Sequence, residues 1–317
     1  MSSPATSTAA ARVLGIDVGG TSMKAGAWTR HADGSLGERE CTVRRATPPD
    51  ASAADALAEF AEALIAEHGP VDAVGLAIPG IVDDEAGIAE FSVAPTWTDL
   101  PLRDLVSARL GLPVALGHDT RIGGLAEGRA GAARGCRDYL FVTLGTGVGG
   151  MVCLDGSPRL GPQHRAAELG HVVVDPLGVA CGCGQRGCLE TIASATGIAR
   201  MYADGSSAGD NVSAREVAGR AAAGEPRAAE VWQTAVSALA TTLVSAITLL
   251  DLSLVVLGGG VAQAGDQLLV PLRQELAERL TFQRAPELVR AELGDEAAVL
   301  GAALIAFDLL DEIEQSS

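Results

Sequence analysis

The chain has 317 residues, 48% of them hydrophobic, and a formal charge of −17 with a pI near 4.6. That is enough material for two lobes with real cores. The acidic balance excludes the basic stripe that a nucleic-acid surface needs, so an anionic partner such as a nucleotide has to be held by local backbone N–H groups and a divalent cation.

Residues 1–12, MSSPATSTAAAR, are small and polar, lack the apolar core of an export signal, and read as a disordered tail. The most apolar run, Leu243 to Leu257, is interrupted by Asp251. It falls short of the roughly 20 residues of a membrane span and reads as a buried helix feeding a buried strand. No membrane or nucleic acid is expected as a partner. Thiols disposed for metal rather than for disulfides point to the cytoplasm, and Cys41, Cys136 and Cys153 read as scattered free thiols.

From Val13, VLGIDVGGTSMKAGAW reads as two strands joined by a glycine turn. Gly19, Gly20 and Thr21 would expose backbone N–H groups in a nest suited to phosphate, and Asp17 is placed to hold a hydrated Mg²⁺ beside it. An ordinary hairpin has the same pattern. FVTLGTGVGGMVCL, Phe141 to Leu154, repeats the plan with Gly145, Thr146 and Gly147 in the turn, a spacing consistent with one copy per lobe. Neither turn is a Walker loop. Lys24, the one lysine in the chain, reads as a surface or strand residue.

Between the two turns, Ser52 to His68 has helical spacing, with Asp50 or Ser52 as N-cap and Gly69-Pro70 as stop. VDAVGLAIPGIVD gives a buried strand ending at Pro79-Gly80, Leu102 to Leu110 a short helix, and Pro113 to Leu116 a strand that delivers Gly117, His118, Asp119 and Thr120. A carboxylate at such a strand end suits phosphoryl transfer to an alcohol, a weak nucleophile that a base must orient and deprotonate. On local sequence alone, Asp119 reads as the N-cap of a helix from Arg121 to Gly131.

The stretch Glu168 to Glu190, ELGHVVVDPLGVACGCGQRGCLE, gathers His171, Cys181, Cys183 and Cys188. One imidazole and three thiols are the donor set of a closed tetrahedral zinc site, which leaves no position for water activation and is therefore structural. Gly182, Gly184 and Gly187 let the backbone turn tightly enough for the sulfurs to converge. Small buried cysteines with no metal are the alternative.

Beyond it, Thr191 to Ala203 and Ala214 to Ala223 read as helices around a polar GSSAGDN loop, and Arg227 to Leu250 as a long packed helix. LSLVVLGGGVAQAGDQLL follows as a buried strand, a triple glycine and a helix start. Gly258, Gly259 and Gly260 would let the backbone lie flat against an adenine or ribose, although a plain strand-to-helix turn reads the same. Ala285 to Ala291 is a last strand, and Glu296 to Leu310 a closing helix with Gly301 at a close contact.

Glu168-x-x-His171 followed by CGCGQRGCLE resembles the signature of the ROK family, which groups bacterial sugar kinases with sugar-responsive repressors. The paired glycine hairpins are similar to those of the actin and hexokinase architecture. The resemblance implies an α/β, two-lobed actin/hexokinase-like ATPase fold with ribonuclease-H-like lobes and an interlobe cleft. It implies a small lobe of residues 13–118, on which a C-terminal helix of about 296–312 packs back, and a large lobe of residues 119–295 carrying the zinc loop. His171, Cys181, Cys183 and Cys188 become ligands of a structural zinc, and Glu168, His171 and Glu190 become groups that bind sugar hydroxyls. Asp119 becomes the catalytic base, and the Gly258 to Gly260 turn the adenosine segment.

The implied activity is ATP-dependent phosphorylation of a hexose C6 hydroxyl, glucose first, with Mg²⁺ accompanying ATP, in a homodimer or homotetramer. Two positions depart from the family pattern. His118 stands where most members have a sugar-binding asparagine and is counted with the substrate-binding residues. SVAPTWTDLPL, Ser92 to Leu102, resembles a family loop with an asparagine and a tryptophan, but Thr96 or a neighbour replaces the asparagine. A kinase for N-acetylmannosamine, fructose or a cyclitol is the nearest alternative, followed by a catalytically silent sugar-binding protein. A repressor would need a helix-turn-helix domain ahead of Val13, where only about a dozen residues stand.

Overall fold

A computed structural model describes residues 10–50, 52–204 and 212–317. The GSSAGDN stretch and most of the expected tail lie outside these residues. Ala11 and Arg12, read as tail, are strand instead: the Arg12 guanidinium bonds the carbonyls of His68, Gly69 and Pro70 and pairs with Glu40 at 2.8 Å. The described chain forms two compact units, one running to Ala126 and taking in Glu296–Ser317, the other Glu127–Asp295.

In the first unit, β1 (Ala11–Val18) and β2 (Ser22–Arg30) form an antiparallel hairpin that β3 (Val43–Ala46) extends. Helix α1 (Ala53–His68) follows an Asp50–Ser52 turn and stops where the Gly69 N–H returns to the Ile65 carbonyl, with φ +97° at Gly69. Strand β4 (Ala73–Ile78) is buried throughout. It ends at Pro79-Gly80 as the sequence suggests, and the residues after that turn start a new strand.

Strands β5 (Ile81–Asp83), β6 (Ile88–Val93) and β7 (Thr96–Leu100) make a separate three-stranded antiparallel sheet, and SVAPTWTDLPL, read as a loop, is its β6–β7 hairpin. Helix α2 (Leu102–Leu110), strand β8 (Val114–His118) and helix α3 (Asp119–Ala130) complete the run. The main sheet has the order β3-β2-β1-β4-β8, with β4 parallel to β1 and β8 parallel to β4.

The C-terminal helix, Ala297–Ser316, packs on β1, β4 and β8. Glycines on the strands permit this: a Cβ on Gly75 would fall 1.8 Å from the Ala302 carbonyl oxygen, and one on Gly15 2.4 Å from that of Val299. Gly301 makes the close contact expected of it, its Cβ position 2.2 Å from the Ile122 carbonyl oxygen. That contact ties the start of α3 to the first unit, which therefore extends beyond residue 118, where the sequence reading drew the boundary.

The second unit repeats the topology. Strands β9 (Tyr139–Leu144), β10 (Val148–Leu154) and β11 (Ser157–Pro158) form an antiparallel meander, and β12 (Leu254–Gly258) and β13 (Glu287–Arg290) add in parallel, giving the order β11-β10-β9-β12-β13. Between β11 and β12 come α4 (Glu190–Ala193), α5 (Ala195–Asp204), α6 (Ala214–Ala222) and α7 (Pro226–Leu250). The helix expected over Thr191 to Ala203 is thus broken at Ser194. Helices α8 (Gly259–Ala262) and α9 (Asp266–Arg279) lead from β12 to β13.

Helix α7 is long and apolar enough to cross a membrane by length and composition. Its Val231, Ala235, Val236, Leu239, Leu243 and Ile247 are nonetheless buried in the core of this unit. On its other face Thr234, Thr241, Ser245 and Thr248 donate to carbonyls one turn back, a core helix with one apolar stripe.

Candidate active site and metal centre

In the first unit the parallel strands β1, β4 and β8 end at one edge of the sheet, Asp17 level with Ala77 and Ile78 level with His118. Open α/β sheets place their ligands beyond the carboxyl ends of such strands. Asp17 is half-buried near the end of β1 and sits opposite Lys24 of β2, which is a strand residue. Gly19, Gly20 and Thr21 form the turn, closed by the Gly19 N–H to the Ser22 carbonyl at 3.0 Å. A Cβ on Gly20 would lie 3.2 Å from the Ala94 carbonyl oxygen, so the turn is seated against the β6–β7 bend.

His118 Nε2 lies 3.4 Å from Asp119 Oδ1. Asp119 is the first residue of α3, and the same Oδ1 accepts the Thr120 N–H and Oγ1–H. It is therefore a helical residue and not the N-cap that local sequence suggested. Thr96, the other departure from the family pattern, is exposed and directs its hydroxyl at the carbonyls of Val93 and Pro49, at 3.1 and 3.3 Å.

In the second unit, His171 ends a 3-10 turn, Leu169–His171, preceded by the exposed Glu168. This turn is pressed on β10, since a Cβ on Gly170 would fall 2.2 Å from the Val148 carbonyl oxygen. The chain then doubles back, Val173 bridging Cys188 and Ala180 bridging Arg186. Gly187, at φ +66° with its Cβ position 1.5 Å from the Asp175 carbonyl oxygen, is a place where no side chain fits. Gly182 has open space and no such constraint.

The result brings one ligand atom each from His171, Cys181, Cys183 and Cys188 within 4.8 Å of one another. Cys181 Sγ lies 3.6 Å from His171 Nδ1, and Cys183 Sγ 3.7 Å from Cys188 Sγ. Zinc bonds of about 2.0–2.3 Å set tetrahedral ligand atoms at this kind of spacing, so three sulfurs and a nitrogen fit zinc by donor type and by spread. Nδ1 is the nitrogen on the sulfur side, which leaves Nε2 for a second partner. Burial pushes the Cys188 thiol up to about 12, while a backbone N–H at Gln185 draws the Cys183 thiol down.

Glu190 links this stretch to the second glycine turn: its Oε2 accepts the Val148 N–H at 3.0 Å, and a Cβ on Gly147 would fall 2.4 Å from that oxygen. The turn is held by the Gly145 N–H to the Gly147 carbonyl, the Ala195 N–H to the Gly145 carbonyl, and Thr196 Oγ1 to the Thr146 carbonyl.

The triple glycine lies next to this turn, and its members differ in surroundings. Gly258 pairs level with Thr143 and its Cβ position is 3.2 Å from the Phe141 ring; Gly259, at φ +81°, would put a Cβ 2.5 Å from the Leu144 carbonyl oxygen. The flat approach of these two is thus to β9 of the protein itself. Gly260 has open space and lines a pocket of about 520 Å³ with Arg215, Gly219, Trp232, Gln263 and Asp266. No motif in the sequence marks Arg215, Trp232 or Gln263, because the pocket is assembled from four helices.

The structure therefore gathers the sequence-derived candidates into two sets. Asp17, Gly19, Gly20, Thr21, His118 and Asp119 share one sheet edge in the first unit. Gly145, Thr146, Gly147, Glu168, His171, Cys181, Cys183, Cys188, Glu190 and Gly258 to Gly260 belong to the second unit.

Comparison with known proteins agrees with this architecture. A glucokinase of Thermotoga maritima is 34% identical over 313 residues, covering 93% of this chain and 96% of its own length. An N-acetylmannosamine kinase of Citrobacter koseri is 37% identical over 306 residues, covering 92% of this chain and 98% of its own. The crystal structure of a ROK family glucokinase from Streptomyces griseus in complex with glucose and AMPPNP is 31% identical, with a TM-score of 0.78 over 94% of this chain and 99% of that one. The fold is the α/β, actin/hexokinase-like ATPase fold of such kinases. Given the two topologically equivalent sheets, the Cys3His cluster and a match of the ROK family model to residues 13–308, the chain belongs to the ROK family.

Proposed function

We propose that the protein is an ATP-dependent sugar kinase that phosphorylates the C6 hydroxyl of a hexose, with glucose as acceptor. The observation that carries this reading is the shared sheet edge on which Asp17, the Gly19 to Thr21 turn and Asp119 stand. The acceptor hydroxyl gives its proton to the Asp119 carboxylate while its oxygen attacks the γ-phosphorus and the bond to the β-phosphate bridge breaks, releasing ADP. With the Gly19 and Gly145 N–H groups closing their turns, the N–H groups of Gly20 and Thr21 and of Thr146 and Gly147 are the ones that would meet phosphate oxygens. The pocket beside Gly260 offers Trp232 and open backbone to the nucleoside.

Asp17 is the carboxylate that would hold Mg²⁺, which when bound spreads the charge of the phosphates. His171, Cys181, Cys183 and Cys188 would hold a structural zinc, which when bound fixes the His171 ring. Glu168, Glu190 and His171 Nε2 would then address sugar hydroxyls, with Glu190 already anchored by the Val148 N–H. A cytoplasmic setting, where thiols stay reduced, suits this donor set. A homodimer or homotetramer is the expected assembly.

A second reading, an N-acetylmannosamine kinase, is favoured by the Citrobacter koseri relative and by Thr96, whose hydroxyl is spent on backbone carbonyls. The deciding experiment couples ADP release to a panel of glucose, N-acetylmannosamine, fructose and a cyclitol with ATP and Mg²⁺. Glucose is expected to give the highest kcat/KM. A higher value with N-acetylmannosamine would select the second reading, and no ADP with any acceptor would reject both.

A further inference from the structure

Resting on the reading of Asp119 as the base, we infer that His118 is a positioning residue for its carboxylate: His118 and Thr120 hold Oδ1, and Oδ2 is the oxygen that meets the acceptor hydroxyl. Oδ1 has three neighbours, His118 Nε2 at 3.4 Å, the Thr120 N–H, and Thr120 Oγ1 at 3.1 Å. Among the described residues no protein donor is within hydrogen-bond reach of Oδ2. The two Thr120 donors load the carboxylate on one side, where the His118 ring stands against the same oxygen at 3.4 Å, while the lone pairs of the other oxygen stay open.

Exposure runs the same way: the His118 side chain is 16% exposed and that of Asp119 32%, so the imidazole is the enclosed partner and the carboxylate the one that faces outward. The ring is carried on the last residue of β8, level with Ile78 of the buried β4, which makes it a rigid support. The transfer balances without disturbing that support. The acceptor O–H bond breaks, its proton goes to Oδ2, its electron pair forms the new bond to phosphorus, and ADP leaves with the electrons of the old one. A ring packed against Oδ1 acts through Asp119 and not on the sugar, which departs from the direct sugar contact expected at this position.

The test is steady-state kinetics with glucose, ATP and Mg²⁺, with glucose binding by calorimetry and folding by circular dichroism, on the wild type and on His118→Leu, His118→Gln, Thr120→Val and Asp119→Asn. His118→Leu is expected to lose about 10- to 100-fold in kcat, the size of loss that misplacement of a reacting group produces. Its glucose KM and Kd should stay within about threefold, because the ring makes no sugar contact. His118→Gln, whose amide keeps a polar group beside Oδ1, should recover most of that loss, and Thr120→Val, which removes the hydroxyl donor to Oδ1, should lose about three- to tenfold in kcat.

A loss that falls on KM and Kd with kcat kept would make His118 a sugar ligand and overturn the inference, as would unchanged kcat in folded His118→Leu. If that variant does not fold, Thr120→Val decides, and wild-type kcat there overturns it. Asp119→Asn separates the two levels: full turnover would defeat the reading of Asp119 as base. An inactive Asp119→Asn beside an unimpaired His118→Leu would defeat the positioning role alone.

Discussion

Glu127 is fully buried, and its carboxylate accepts the backbone N–H groups of Ala132, Glu292 and Leu293 at 2.8, 3.2 and 2.8 Å. It thus ties the end of α3 to the segment after β13, a role hidden in the sequence, where it reads only as one more helical glutamate. Removing it leaves three part-buried backbone N–H groups without their acceptor, each bond worth about 1 kcal/mol. Glu127→Ala is expected to lose about 2–3 kcal/mol in urea unfolding, and Glu127→Gln, which keeps one acceptor oxygen, clearly less. Equal losses for the two would show that the bonds to nitrogen carry little.

Cysteine chemistry sets a second expectation at this scale. With burial pushing Cys188 up to about 12, zinc has to displace thiol protons to bind. Lower pH supplies those protons, so the apparent affinity falls as pH falls, by up to about tenfold per pH unit for each displaced proton. Competition with a chelator at pH 8 and pH 6 reads this directly. Cys183→Ser should lose zinc stoichiometry, measured by elemental analysis; full zinc in that variant would remove Cys183 from the ligand set.

Elements built on local pattern were readable from the sequence, and those built on non-local contact were not. Helix α1, with its Asp50–Ser52 turn and Gly69 stop, carries all its signals within its own residues. So does the stretch from Glu168 to Glu190, whose spacing brings His171 and the three cysteines together. The β6–β7 hairpin escaped because its alternation is short and interrupted by Ala94-Pro95, and because the sheet it joins is separate from the main one. The triple glycine was seen, but only the structure separates Gly258 and Gly259, pressed on β9, from Gly260 at the pocket.

Gly15 and Gly75 belong here as well. Each lies mid-strand, where glycine signals close backbone approach, and the helix that approaches is far off in sequence. Gly75→Ala drives a Cβ into the Ala302 carbonyl, a backbone group that cannot step aside. A loss of about 1–3 kcal/mol is expected, the usual cost of overpacking, read as a lower midpoint in urea with unchanged slope. No shift in midpoint would mean that the C-terminal helix is free to ride up on the strand.

At the scale of the molecule, the two sheets share one strand order, a three-strand antiparallel meander followed by two parallel additions. The recurrence of the glycine hairpin was legible because a turn between two apolar runs is a short-range signal. The shared order was not, since β4, β8, β12 and β13 find their places only through crossovers. Topology explains how the proposed phosphate turns could work in a chain of net charge −17: each sheet presents backbone N–H groups at a strand end, and these need no cationic side chain.

The proposed phosphoryl transfer stands on Asp119 taking the acceptor proton. Its most direct test compares ATP-dependent glucose phosphorylation by the wild type and by Asp119→Asn, with glucose binding measured on both. A fall in kcat of about 10²–10⁴-fold, the range of a lost general base, with glucose Kd within about threefold, is the predicted result. Turnover by Asp119→Asn within a few-fold of the wild type would contradict it.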